Sequence, residues 1–145
     1  VEKILDISKF KDVHVVLAGW RRQFVINKLN EYGIKFTYFE LPDIEKINML
    51  YNSLDLYVVS ARCEGGPQAI FECAYLKTPI ISTRVGQHNF LDEKCKFNMD
   101  QSIDDLLINN AIKCTKQNHK KVSLLNESKH IKKYDSYFEE ILKNG

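Results

Sequence analysis

Leu56-Tyr57-Val58-Val59-Ser60, then Ala61-Arg62-Cys63-Glu64-Gly65-Gly66-Pro67-Gln68, then Ala69-Ile70-Phe71-Glu72 on to Leu76, and finally Thr78-Pro79-Ile80-Ile81-Ser82-Thr83: this stretch decides the fold. Its two ends are short β-branched runs of the kind that form buried parallel strands. The middle is a glycine turn into a helix predicted from Pro67 to about Leu76, with proline suited to the first helical turn. Strand, helix, strand in so few residues is a βαβ unit, whose strands lie parallel.

Outward from this unit the same alternation continues. Val13 to Ala18 is a β-branched run closed by Gly19, residues 22–32 have helical periodicity stopping at Gly33, and Ile34 to Glu40 returns to strand character. Pro42-Asp43 opens a helix to about Leu54, with Asp43 as its N-cap. Residues 1–11 read as helix, Lys96-Phe97-Asn98 as a short strand, and helices are expected over 102–116 and 126–143. The expected architecture is α/β: one Rossmann-like parallel sheet with helices on both faces, a single domain over residues 1–145.

Composition narrows the function. Of 145 residues 44% are hydrophobic and 28% charged, and the net charge is only +2, with the surplus in the C-terminal part. A nucleic-acid binder would concentrate basic residues on one face, so nucleic acid is excluded as a partner. Cys63, Cys73, Cys95 and Cys114 have neither metal-ligand nor Cys-x-x-Cys spacing and read as free thiols, with no metal site. Cys63 and Cys73 are expected to be packing residues. No apolar run reaches the roughly 18 residues of a membrane span, and the first residues do not resemble a signal peptide.

In an open parallel sheet ligands bind beyond the carboxyl ends of the strands, here the loops after residues 18, 40, 60 and 83. The third loop is the informative one. Glu64 precedes a helix N-terminus, and Glu72 lies five residues past Pro67, roughly 7.5 Å along the axis at 1.5 Å per residue. Between them the first-turn N–H groups form an anion site that two glycines leave open to a ligand. Hydroxyl, phosphate and hydroxyl groups in that order, as in a sugar joined through a diphosphate to a ribose, would match carboxylate, donors and carboxylate. Taken alone, the turn is equally a tight βα connection, with Glu64 placed favourably near the helix dipole and Glu72 on the surface.

The run from Leu50-Tyr51-Asn52-Ser53-Leu54-Asp55 through Glu64-Gly65-Gly66-Pro67, Glu72, Thr78-Pro79-Ile80-Ile81-Ser82-Thr83 and Val85-Gly86 resembles the C-terminal domain of group 1 (family 4) retaining glycosyltransferases. These have the GT-B fold of two Rossmann-like domains around a cleft. The resemblance covers roughly residues 1–90, and its Glu-x7-Glu motif corresponds to Glu64 and Glu72. It implies that Glu64 contacts the transferred sugar, that Glu72 grips the ribose hydroxyls, and that amides around Gly65, Gly66, Pro67 and Gln68 face the sugar and diphosphate. Leu41 falls in the loop that cradles the base, with Asp43 and Lys46 nearby, and Gly19 opens the other cleft loop, Gly19-Trp20-Arg21-Arg22. Arg62, next to Glu64, is read as a donor-site residue that orients that carboxylate as its ion-pair partner, with simple exposure as the alternative. Arg21 and Arg22 are open to phosphate contact or to solvated surface at a helix start, Trp20 to stacking on a base or simply closing the loop, and His88 follows Val85-Gly86-Gln87 in the loop after the fourth strand.

The resemblance further implies a UDP- or GDP-type sugar donor, metal-independent transfer without a cofactor, and a cytoplasmic enzyme compatible with peripheral contact at the inner face of a membrane. Intact members begin this domain with a strand ending in Gly-Arg and a Lys-Gly loop, neither of which is in this sequence. The chain is therefore expected to lack the first strand and the acceptor-binding N-terminal domain, to bind donor weakly, and to be inactive by itself. Two other readings stay open: a non-catalytic nucleotide-sugar-binding or interaction module, and a GT-B sugar-nucleotide epimerase. No Gly-x-Gly-x-x-Gly follows any predicted strand, which argues against a dinucleotide oxidoreductase.

Overall fold

A computed structural model describes residues 1–125. Helices α1 (Glu2–Ser8), α2 (Gln23–Glu31), α3 (Ile44–Ser53), α4 (Ala69–Leu76) and α5 (Asp105–Ser123) alternate with strands β1 (His14–Ala18), β2 (Lys35–Phe39), β3 (Tyr57–Val59), β4 (Ile80–Thr83) and β5 (Lys96–Phe97). Two short 3-10 turns, Gly86–Phe90 and Glu93–Cys95, fill the β4–β5 connection and were not legible in the sequence. The helix expected over 126–143 lies outside the described residues.

Every strand pairing is parallel, and the α/β class stands. The expected single sheet is instead two ladders, β1–β2 and β3–β4–β5, because no strand among the described residues bridges them. Their registers run His14↔Lys35 to Ala18↔Phe39 and Tyr57↔Ile80 to Val59↔Ser82. β4 has a partner on each edge, with α4 and α5 packed against it, and all four of its residues are buried. Burying Ile80 and Ile81 stabilises by about 1.5–3 kcal/mol each relative to exposure.

The helix ends follow from their caps. Asp43 accepts from Lys46 N at 2.7 Å to start α3, as expected, and Asp104 accepts from Leu107 N at 2.8 Å to start α5. α5 runs well past residue 116 because Leu107, Ile108, Ala111, Cys114, Asn118 and Val122 continue one buried stripe. Asn118 hides that stripe in the sequence. Its amide is buried only because it accepts from Asp92 N at 2.8 Å and reaches Cys95 Sγ. α4 closes with Lys77 in the left-handed region (φ 63°) and Thr78 N bonded to Cys73 O at 2.9 Å, a Schellman ending without its usual glycine.

α1 is shorter than predicted and is tied, together with Lys11 after it, to residues 101–105 at the start of α5, far from it in sequence. Buried Lys3 donates to Gln101 O at 2.7 Å, Asp6 accepts from Ile103 N at 3.3 Å, and Lys11 pairs with Asp105 at 2.9 Å. Ile7 enters the same apolar core as Ile70, Ile80, Ile81, Phe97 and Leu107.

Candidate functional site

The loop after β3 and the start of α4 form the predicted turn, with α4 opening at Ala69 rather than Pro67. The proline carbonyl accepts from Ile70 N at 3.0 Å, and Gln68 O accepts from Phe71 N and Glu72 N at 2.9 and 3.1 Å. The amides of Gly65, Gly66, Gln68 and Ala69 find no acceptor among the described residues. Four donors without such an acceptor at a helix N-terminus are an arrangement that can accept an anion. Glu64 and Arg62 are both exposed, and the ion pair between them does not form. Neither has a side-chain partner among the described residues.

Gly66 and Gly86 explain how closely two loops approach. A Cβ on Gly66 would lie 2.3 Å from the Gln87 amide nitrogen, and one on Gly86 (φ +48°) would lie 2.7 Å from Pro67 Cδ and 3.0 Å from Gly66 Cα. The loop after β4 is thus pressed onto the Gly66-Pro67 turn, and Gln87 lies over Gly66. Gln87 Oε1 and His88 Nδ1 are buried without a partner among the described residues, an unusual state for polar atoms and one common where a ligand or solvent completes the site. Burial, reinforced by the charges of Lys96 and Arg84, holds the His88 imidazole below its ordinary value and favours the neutral ring.

Glu72, in the first turn of α4, is half-buried. Its Oε2 accepts from the Tyr51 hydroxyl at 2.7 Å, a partner the sequence reading did not assign. The two residues are 21 apart, and no local periodicity links them. Burial first, then the bond to Glu72, pushes the Tyr51 hydroxyl far above the ordinary phenol range. Cys73 beside it is buried, as expected of a packing residue, and its thiol is pushed up by burial; Cys63 is exposed, contrary to the packing role expected for it.

The loops after β1 and β2 are adjacent to each other. Gly19 N donates to Phe39 O at 3.0 Å and Gly19 O accepts from the Tyr38 hydroxyl at 3.1 Å, so the loops after β1 and β2 start side by side. Gly19 (φ +100°) and Arg21 (φ +59°) both occupy left-handed backbone, which costs the arginine about 1 kcal/mol or more. Arg21 lies over the Trp20 ring at 4.3 Å, and Arg22 turns back to donate to Ala18 O at 3.1 Å. Trp20 is 60% and Leu41 76% exposed, so the apolar tips of both loops are open to solvent. Asp43 is committed to capping α3, and Lys46 lies over the Phe39 ring.

A depression of about 480 Å³ lined by His14, Asn30, Gly33, Ile34, Lys35 and Phe36 lies at the opposite ends of β1 and β2, and no acidic residue lines it. Among the described residues no three His, Cys, Asp or Glu side chains converge to hold a metal ion, and no helix is long and apolar enough to cross a membrane.

Solved structures share this fold. Sucrose-phosphate synthase from Thermosynechococcus elongatus superposes with a TM-score of 0.80 at 15% identity, over 98% of this chain and 42% of its own. The Anabaena protein HepE, solved in complex with UDP, does so with a TM-score of 0.62 at 15% identity, over 83% of this chain and 37% of its own. The chain thus spans about two fifths of the length of these relatives, and the fold is of GT-B type. No curated protein sequence matches it significantly. A family profile for group 1 glycosyl transferases matches residues 1–115, most of the sequence, and the chain belongs to that family.

Proposed function

We propose that the β3–α4 turn binds the nucleotide-diphosphate sugar donor of a retaining glycosyltransferase, which transfers the sugar to an acceptor hydroxyl. In this reading Glu64 contacts the sugar, the amides of Gly65, Gly66 and Gln68 carry the diphosphate alongside Pro67, and Glu72 takes the ribose hydroxyls. Leu41 and Gly19 border the base, and Arg62 lies close enough in sequence to reach the donor. The observation that carries the reading is the set of unpaired amides between Gly65 and Ala69, with Glu64 in the loop before them and Glu72 in the first turn of α4 after them. Such a set stabilises a leaving diphosphate electrostatically, the term that dominates many transfers. The UDP in the HepE complex supports a nucleotide ligand for this fold.

Transfer itself requires an acceptor site, supplied in this reading by a further domain, so the chain alone binds donor weakly and does not turn it over. Binding needs no divalent metal, and excess EDTA is expected to leave it unchanged. The test is a titration of the chain with UDP, GDP, ADP and their sugar conjugates, followed by backbone amide NMR. Shifts centred on residues 65–72 that vanish in Glu72→Ala support the reading and identify the base. Absence of shifts there at millimolar ligand would overturn it.

A further inference from the structure

Glu72 is held as well as placed. Tyr51, in the last turn of α3, donates to its Oε2 at 2.7 Å, while Oε1 has no protein partner among the described residues. Tyr51 in turn is fixed from two sides. Its carbonyl accepts from Oγ1 of buried Thr78 at 2.9 Å, and its ring packs on Tyr57 with centroids 5.6 Å apart at 58°. Tyr57 is itself tied to the α4–β4 connection, its N–H donating to Pro79 O at 2.8 Å. The hydroxyl position is therefore set by α3, β3 and the turn before β4 together. The same helix is capped by Asp43, just after the Leu41 loop, so one helix runs from that loop to the tyrosine that bonds Glu72.

The terminal torsion of a free glutamate is broad, and a ligand must order it on binding. A glutamate with one oxygen already occupied presents the other in a fixed direction. From this geometry we propose that Tyr51 is a positioning residue of the donor site: it aims Glu72 Oε1 at the ribose hydroxyls and so makes the site select ribonucleotide diphosphates over analogues lacking those hydroxyls. The proposal rests on the donor reading above. Its physical basis is that a site built to bond a hydroxyl rejects a ligand without one, because its own polar group is then left unpaired.

The test compares UDP with 2′,3′-dideoxy-UDP, and GDP with its dideoxy analogue, by amide NMR titration of the chain and its variants. In the unaltered chain the ribonucleotide is expected to bind about 30-fold more tightly. Tyr51→Phe keeps the ring on Tyr57 and removes only the hydroxyl; the ratio is expected to fall to about 5-fold, entirely through the ribonucleotide. Glu72→Gln should bring it to about 2-fold or below. Thr78→Val, which unpins the Tyr51 carbonyl and leaves the hydroxyl, is a second variant and should lower the ratio about 2-fold. Equal weakening of both ligands in Tyr51→Phe, or an unchanged ratio, would show a purely structural tie and overturn the positioning role while leaving the donor reading intact. Failure of the unaltered chain to bind either ribonucleotide at residues 65–72 would overturn the donor reading and this role with it.

Discussion

In the β1–β2 ladder no strand residue is buried; in β4 every residue is. Yet Val15, Val16 and Leu17 are as apolar as Ile80 and Ile81. The helices tell the same story: α2 buries only Leu29 and α3 nothing, whereas α4 and α5 together bury nine residues. Even α1, which precedes β1 in the chain, contributes Ile7 to the core around β4. Burial thus depends on what lies across each strand edge and face, and an apolar run alone does not secure it. β4 has strands on both edges and two helices against it, whereas β1 has one strand neighbour. The candidate site sits on the well-buried region, where a rigid scaffold can hold a turn of unpaired amides in place.

The largest expected contrast is in amide exchange. Native-state exchange at Ile81 and Ser82 should be at least about a hundredfold slower than at Val15 and Val16, because the β4 ladder opens only with the core while β1 opens locally. Comparable protection would break the distinction between the regions. Truncation is the next probe. Ile81→Ala is expected to cost about 3–5 kcal/mol in denaturant unfolding, as a fully buried side chain leaving a cavity, and Val16→Ala only about 1 kcal/mol. Equal losses would mean that the β1–β2 region folds as tightly as the rest.

Two glycines sharpen the comparison at the level of single atoms. Gly33 (φ +65°) has open space where a Cβ would go, whereas a Cβ on Gly86 would strike Pro67 and the Gly66 backbone. Gly33→Ala should therefore cost only backbone strain, about 1 kcal/mol. Gly86→Ala should cost about 2–3 kcal/mol and shift the amides of residues 65–68. The smallest effect is electrostatic. The folded His88 is held below the ordinary histidine value of 6.5, so the unfolded chain takes up its proton first as pH falls. Its contribution to stability is complete above that value and is lost as pH falls from it through the lower folded value. His88→Gln should flatten the fall in melting temperature between pH 7.5 and 5.5; an unchanged profile would remove His88 as its cause.

Much of this was legible in the sequence where the cause is local. The Gly65-Gly66-Pro67 turn, the Asp43 cap and the alternation of strand and helix rest on neighbouring residues; the cap stands where it was read, and strands β2, β3 and β4 begin and end within two positions of their reading. The end of α5 was not, because polar Asn118 interrupts the apolar period and is buried only by virtue of Asp92 and Cys95. The 3-10 turns have no periodicity to read. Arg62 and Glu64 are close in sequence but form no ion pair, since adjacency along an irregular loop does not fix where two long side chains point.

The sequence alone determined the order of the elements, their parallel character, the family resemblance and the two motif glutamates. These follow from periodicity of 2 and 3.6, from turn chemistry and from motif spacing, all short-range properties. Only the tertiary structure decided that the strands form two ladders, that Lys3 and Asp6 tie the first helix to residues 101–103, and that Tyr51 holds Glu72. Each of these joins groups 21 to 98 residues apart or depends on which strand edges meet. Periodicity reports which way a side chain faces, and only packing decides what it meets there.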